Sequence, residues 1–156
     1  MKILRFVIFG IVLLQLVSCQ RGVVYQKNAE NADAVWHEDS IKRFTLKIDD
    51  TLQAYNVLYT VENNDDYNYS NLFLFTKVTF PNGSIIRDTM EMVLAAPNGK
   101  WIGKGWFGTY KTTFPFRQNI RFPYQGTYTF EVVEAMRSLN KKLDGIVSFG
   151  MTIKYR

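Results

Sequence analysis

The sequence predicts an all-β domain, an antiparallel β-sandwich of about seven to eight strands, with a small β-barrel as the alternative architecture. Three observations predict it. Short runs alternate apolar and polar residues with a period of two, as in "RFTLKI" (43–48) and "TYTFEVVE" (127–134). Turn-forming pairs such as Asn82-Gly83 and Asp144-Gly145 punctuate the runs. The aromatic fraction is 15%, mostly Tyr and Phe, and together with Val, Ile and Thr it suits a pleated, half-buried surface. No segment sustains a helical period long enough for a bundle.

Residues 1–18 read as a lipoprotein signal peptide. Lys2 and Arg5 supply a positive start, and an apolar stretch runs to Val17, interrupted by Gly10 and Gln15. That is shorter than the ~20 apolar residues a spanning helix needs, and it fits a secretory leader. Leu16-Val17-Ser18-Cys19 resembles a bacterial lipobox, and Cys19 is the only cysteine in the chain. An ordinary cleaved leader would leave this thiol unpaired in an oxidising compartment. Cys19 is therefore read as the lipidation site, carrying acyl chains of the palmitate class. Two or three such chains anchor stably where one does so only marginally. Position 20 is Gln, so the aspartate that retains many lipoproteins at the inner membrane is missing, which by analogy favours the outer membrane. No acidic cluster follows Cys19 to support surface display, which leaves a periplasm-facing attachment.

Residues 19–40 are expected to form the acylated cysteine and a tether, with Tyr25 and Trp36 its only large anchors, and residues 41–156 the sandwich domain. In "RFTLKI", Phe44, Leu46 and Ile48 share one face and Arg43, Thr45 and Lys47 the other. "YNVLYTVE" (55–62) follows, then "LFLFTKVTF" (72–80), whose first half is apolar on both faces as in a central strand. Pro81-Asn82-Gly83-Ser84 is expected to close a hairpin with 85–94, Asn-Gly tolerating positive φ at both central positions. "FPYQGTYTF" (122–130) reads as a turn into a strand, with Tyr128 bonding back as corner tyrosines do. "EAMRSLNKKLDG" (134–145) has room for a turn of helix, and "GIVSFGMTIKY" (145–155) is the closing strand.

The chemistry-bearing residues are sparse. Removal of Lys2 and Arg5 with the leader lowers the formal charge from +5 to +3, and no Lys/Arg block marks a nucleic-acid site. His37, the lone histidine, has no recognisable nucleophile motif to serve and reads as a surface residue. Glu131 and Glu134, three apart on a strand, point to opposite faces. The cluster Asn63, Asn64, Asp65, Asp66, Asn68 and Asn71 is dense enough in oxygen for Ca²⁺, yet lacks the EF-hand order of ligands. Asn and Asp are also the common turn formers, so a solvated loop is the favoured reading. No catalytic residue, metal or cofactor is expected.

"PNGKWIGKGWFGTY" (97–110) is the most unusual stretch. Gly99, Gly103, Gly105 and Gly108 alternate with Trp101, Trp106, Phe107 and Tyr110, the candidate partner-binding loop. Exposed on a tight turn, these rings would offer a platform to a protein surface or a sugar ring. Trp101 is read first as a plug at one end of the sandwich, whereas Trp106 stands open between plug and contact. A phosphate cradle is disfavoured, because the Lys-Ser/Thr ending and the strand–loop–helix context are missing.

In order, "DTLQAYNVLYTVEN", "YNYSNLFLF", "DTMEMVLAAPNGKWIGKG", "RFPYQGTYTFEVVEAMR" and "LDGIVSFGMTIK" resemble the blocks of the gliding-motility lipoproteins of the GldH type. Asp88-Thr89, Gly99-Lys100-Trp101-x-Gly103-x-Gly105, Met136-Arg137 and Leu143-x-Gly145-Ile146 are the sharpest pieces. Glu62 departs from a position often basic in such proteins, and Asn68 from one often proline. The resemblance implies an outer-membrane lipoprotein needed for gliding, working with the motor and its associated secretion machinery. It brings no catalytic residue or cofactor. The implied partners are the membrane, through acyl chains on Cys19, and other gliding or secretion envelope proteins. A glycan-binding module of the cell envelope is the alternative reading.

Overall fold

The computed structural model describes residues 22–138 and 140–156, so the signal peptide and Cys19 lie outside the described residues. Eleven strands follow one another: β1 (Val23–Glu30), β2 (Val35–His37), β3 (Lys42–Ile48), β4 (Tyr55–Asn64), β5 (Asn71–Thr79), β6 (Ile85–Val93), β7 (Lys104–Trp106), β8 (Thr109–Ile120), β9 (Gly126–Glu134), β10 (Lys142–Asp144) and β11 (Ile146–Tyr155). One sheet has the order β1-β11-β4-β8-β7, a second β3-β9-β5-β6, and β10 pairs with β2 in a short separate ladder. All pairings are antiparallel and neither sheet closes on itself. The architecture is an all-β sandwich.

Alternation explains which side of each strand is inside. Phe44, Leu46 and Ile48 of β3, Leu72 and Leu74 of β5, and Tyr128, Phe130 and Val132 of β9 cover the inner face of the four-stranded sheet. Val57, Tyr59 and Val61 of β4, with Phe149, Met151 and Ile153 of β11, cover the inner face of the other. The two faces form one contiguous core. Aromatic rings close it off: Trp36 and Phe44 lie 5.4 Å and 6.0 Å from Phe149, and Phe122 stands edge-on to Tyr55 at 5.3 Å and to Tyr128 at 4.8 Å. Tyr128 performs the corner role expected of it. Its hydroxyl donates to the Tyr124 carbonyl at 2.9 Å and accepts from the Tyr124 N–H at 3.1 Å.

Three local expectations are corrected. First, the chain from Val23 onward belongs to the sheet: β1 runs along β11, and Trp36 on β2 is fully buried. The indole Nε1 donates to the Ser40 carbonyl at 2.8 Å, and the Lys42 ammonium lies 5.5 Å from the ring. The residues from Val23 onward are therefore not a tether, and the part of the expected tether before them lies outside the described residues. Second, 134–145 holds no turn of helix among its described residues. Lys142–Asp144 instead pairs with Val35–His37, and Gly145 follows at φ +83 with no room for a side chain, since a Cβ would lie 2.2 Å from the Tyr67 nitrogen. Third, in the β5–β6 hairpin only Gly83 has positive φ. Residues 80–84 make a longer loop in which Asn82 Oδ1 accepts the Ser84 N–H at 3.0 Å. The eleven strands of the described residues exceed the expected seven to eight because β1, β2, β7 and β10 carry little apolar alternation.

Candidate functional site

The β7–β8 hairpin presents the glycine–aromatic segment at one end of the sandwich. Its frame is set by backbone approach. Gly105 faces Tyr110, and a Cβ there would lie 2.0 Å from the Thr109 carbonyl oxygen, so only glycine fits. Trp106 pairs with Thr109, which leaves Phe107 and Gly108 as a two-residue turn. Their φ values are 52° and 74°, the double positive pair of a primed hairpin turn. Asn-Gly or Gly-Gly takes this shape at little cost, whereas a bulky ring at φ > 0 is strained.

The four aromatic residues singled out from the sequence divide into two pairs. Trp101 and Tyr110 are half-buried with ring centroids 5.8 Å apart, and Trp101 lies 6.3 Å from buried Tyr67. The Trp101 Nε1 donates to Asp65 Oδ1 at 3.1 Å, and residue 101 bridges to Ala95. Burial, then the Asp65 carboxylate, pushes the Tyr110 phenol pKa up. The Tyr67 hydroxyl donates to the Asn71 carbonyl at 2.7 Å. Trp101 is thus a plug with a satisfied indole N–H. Trp106 and Phe107 are 82% and 97% exposed, their rings 5.9 Å apart at 63°. They touch solvent and each other.

Beside the tip runs a shallow cleft lined by Glu62, Lys104, Gly105, Trp106, Thr109 and Lys111. Lys111 pairs with Glu62 at 2.8 Å, and Ser148 Oγ donates to the same carboxylate at 3.0 Å. Lys111 first, with Ser148 adding to it, holds the Glu62 carboxyl below its ordinary range. Lys104 lies directly opposite Lys111 in the ladder and makes no ion pair among the described residues. The surroundings of Phe107 therefore offer a positive charge beside two bare rings.

The remaining singled-out residues are dispersed. His37 lies exposed on β2, opposite Lys142. Glu131 faces outward, where Arg43 at 2.6 Å and Lys77 at 2.7 Å pair with it, while Glu134 points inward and is buried. In the 62–71 segment, Asn64 Oδ1 accepts the Asp66 N–H at 3.0 Å, Asn64 Nδ2 donates to Asp66 Oδ2 at 3.0 Å, and Asp65 serves Trp101. These side chains build a turn and brace the plug.

One surface escaped the sequence reading. The first half of 72–80 is apolar on both faces, a pattern that predicts a central strand. β5 does lie between β9 and β6, yet Phe73 and Phe75 point outward and are 37% and 55% exposed. With Ile41 and Val133 they form an apolar strip on the outer face, continuing toward β6.

Comparisons with known proteins agree on one family. The family model described as GldH lipoprotein matches residues 23–153. The chain is 37% identical over 139 residues to the protein of Christiangramia forsetii named gliding motility lipoprotein GldH homolog, covering 89% of this chain and 83% of that one. It is 28% identical over 155 residues to the gliding motility lipoprotein GldH of Flavobacterium johnsoniae, covering 94% and 96%. Among solved structures it is similar to a non-crystalline cellulose specific carbohydrate-binding module at a TM-score of 0.46 and 7% identity, over 84% of this chain and 73% of that one. At that distance the likeness bears on neither ligand nor mechanism.

Proposed function

We propose, from the premise that the chain belongs to the GldH lipoprotein family, that it is a non-enzymatic accessory component of bacterial gliding motility which docks a protein partner through Trp106 and Phe107. Acyl chains on Cys19 hold it at the envelope, on the periplasmic side of the outer membrane. The partner belongs to the motor or to the secretion machinery associated with it. The names of the relatives support the motility role, and the lipobox with Gln20 supports the attachment.

One observation carries the docking site: a Phe 97% exposed at φ 52°, beside a Trp 82% exposed. Folding gains little from either ring, and a side chain in the left-handed region costs about 1–2 kcal/mol. Large aromatic side chains that penetrate a partner's pocket are the usual anchors of an interface, and Lys104 adds a charge for an acidic rim. The two ring planes cross at 63° and do not form the flat platform on which a sugar ring stacks.

The test is a complementation series in a gliding strain lacking the gene. Trp106→Ala with Phe107→Gly is expected to abolish colony spreading at unchanged protein level. Cys19→Ala is expected to release the protein from the membrane and impair movement. Normal spreading by the tip variant would remove these rings from the proposal. Binding of cell-wall fragments to the wild type but not to the tip variant would transfer the site to a glycan.

A further inference from the structure

The two main sheets have open edges at β1, at β7 with the residues 112–120 of β8 that β7 leaves uncovered, at β3 and at β6, and the first three are guarded. β7 is three residues long and the uncovered part of β8 carries Pro115 beside two register shifts, β1 carries a register shift between Val23 and Tyr25 together with Lys27, and β3 alternates Arg43 and Lys47 along its outer face. Short edges, bulges and basic side chains are the ordinary means of blocking strand addition. β6 carries charges too, Arg87 and Glu91 on its outer face and Asp88 on its inner, but it has neither the shortness nor the irregularity of the others. It is nine residues long, pairs with β5 without any register shift, and leaves Ile85, Ile86 and Val93 exposed at 44%, 51% and 45%. The Thr89 N–H at its middle is taken up by its neighbour's Asp88 Oδ1 at 2.8 Å and not by β5. The open stretch ends where the Ile102 N–H donates to the Leu94 carbonyl at 2.9 Å.

The sequence of β6, "IIRDTMEMV", is self-complementary about Thr89. We propose that β6 is a homodimer interface, two copies pairing antiparallel edge to edge with Thr89 facing Thr89 of the second copy. On the outer face this register sets Arg87 opposite Glu91 of the second copy, twice, and Ile85 opposite Val93, twice. Threonine pairs, opposite charges and apolar pairs are the favourable cross-strand combinations. Like all isologous contacts, the arrangement closes on itself. No other register does this: parallel pairing sets Arg87 against Arg87, and a shift of two positions parts it from Glu91.

Arg87 supplies an independent reason. Its neighbour across the ladder on β5 is Lys77, another cation, whose ammonium is already bound to Glu131 at 2.7 Å. Arg87 itself makes no ion pair among the described residues, although like charges directly opposite are unfavourable. Glu91 accepts the Asn71 Nδ2 hydrogen bond on Oε1 at 2.6 Å within its own chain, and with its other carboxylate oxygen Glu91 of a second copy meets that need. The Asp88 carboxylate, which also pairs with Arg117, must turn away from the Thr89 N–H as the strands join. Nine residues give a seam of about 30 Å, and the outer-face strip of Phe73 and Phe75 would run on into that of the second copy. The seam uses neither Trp106 nor Phe107, so the docking proposal and this one stand or fall separately.

Cysteine crosslinking of the full chain in its own membranes tests the seam. Facing residues of an antiparallel pair have Cα atoms about 4.5–5.5 Å apart, within the span of a disulfide. Thr89→Cys is expected to give an oxidant-dependent dimer at least about tenfold above that of Thr45→Cys, an exposed position on β3 far from the seam. In the Thr89→Cys background, Arg87→Glu and Glu91→Arg are each expected to lower the dimer about tenfold, since both charge pairs turn repulsive. The two together restore it, because the swap recreates the complement. Crosslinking of Thr89→Cys no better than Thr45→Cys overturns the proposal. So does a double swap that fails to recover what each single change lost, which would leave the edge to a different partner strand.

Discussion

Replacing Trp36 by Ala separates an integral N-terminal segment from a tether. The indole is fully buried, 5.4 Å from Phe149, with its N–H satisfied by the Ser40 carbonyl. A buried Trp removes roughly 150–250 Å² from water, worth about 4–6 kcal/mol at about 25 cal/mol/Å² before the share kept by Ala is subtracted. The cost of Trp→Ala in a core that relaxes only in part is about 3–5 kcal/mol, and we expect about 4. In a domain of this size that lowers Tm by about 12–16 °C and the urea midpoint by about 2–3 M. Urea unfolding followed by far-UV circular dichroism avoids confusing lost fluorescence with lost fold. Trp106→Ala is the internal control: the same chemical change at a ring 82% exposed is expected to cost under about 0.5 kcal/mol. If Trp36→Ala costs less than about 1 kcal/mol, residues 35–37 are a tether after all and the reasoning from burial fails.

Phe107→Asn is expected to raise stability by about 1 kcal/mol, measured by the same unfolding curves, because Asn accepts the left-handed backbone that Phe107 occupies at φ 52°. Gly145→Ala is expected to cost more than about 2 kcal/mol, since φ is +83° and the new Cβ meets the Tyr67 backbone at 2.2 Å. Glu134 and Glu131 are expected to respond to pH with opposite signs. Burial raises the Glu134 carboxyl pKa, against the Met136 N–H and with the Glu38 charge, so its contribution falls as pH rises through that raised value. Lys77, then Arg43, lower that of Glu131, so its contribution is present above the ordinary Glu range and lost as pH falls through the depressed value. Stability curves should show Glu134→Gln above wild type and Glu131→Gln below it at pH 7, both converging on wild type in acid.

The strands most legible from sequence, such as β3 and β9, have one wetter and one dry face. β3 and β9 are legible by alternation, β5 by its apolar run, β6 by the Asn82-Gly83 turn before it, and β4 and β11 as β-like runs, each within a few residues of its bounds. β1, "VVYQKNAE", is an edge strand with both faces largely wet, so it shows no apolar period and reads as a linker. Trp36 was visible as an anchor, but its meaning depends on β10, more than a hundred residues later, and a three-residue ladder leaves no local pattern. In β8 the break is Pro115, which lacks an N–H. It lies opposite Leu58 beside a register shift and beyond the reach of short β7, where no ladder bond on that side is required. The glycine–aromatic site is legible as a whole and so is the plug role of Trp101, but the exposure of Trp106 and the partner of the Trp101 indole are not. Trp101 is a plug because Asp65, in a loop 36 residues away, receives its N–H. The doubly apolar start of β5 marked a position in the sheet and also an exposed strip, two causes that produce the same string of letters.

The fold's stability and its two bare surfaces have separate sources. The core lies between the sheets, and the aromatic groups of Trp36 and Phe122 close it off; none of these contacts involves Trp106, Phe107 or the outer edge of β6. A strained Phe on a hairpin and a regular, unpaired nine-residue edge are both departures from what a stable monomer selects. Departures of that kind persist where they serve something other than folding. The expected gain in stability from Phe107→Asn and the expected loss of movement from altering the same tip pull in opposite directions. A residue kept only to hold the hairpin together could not give both results.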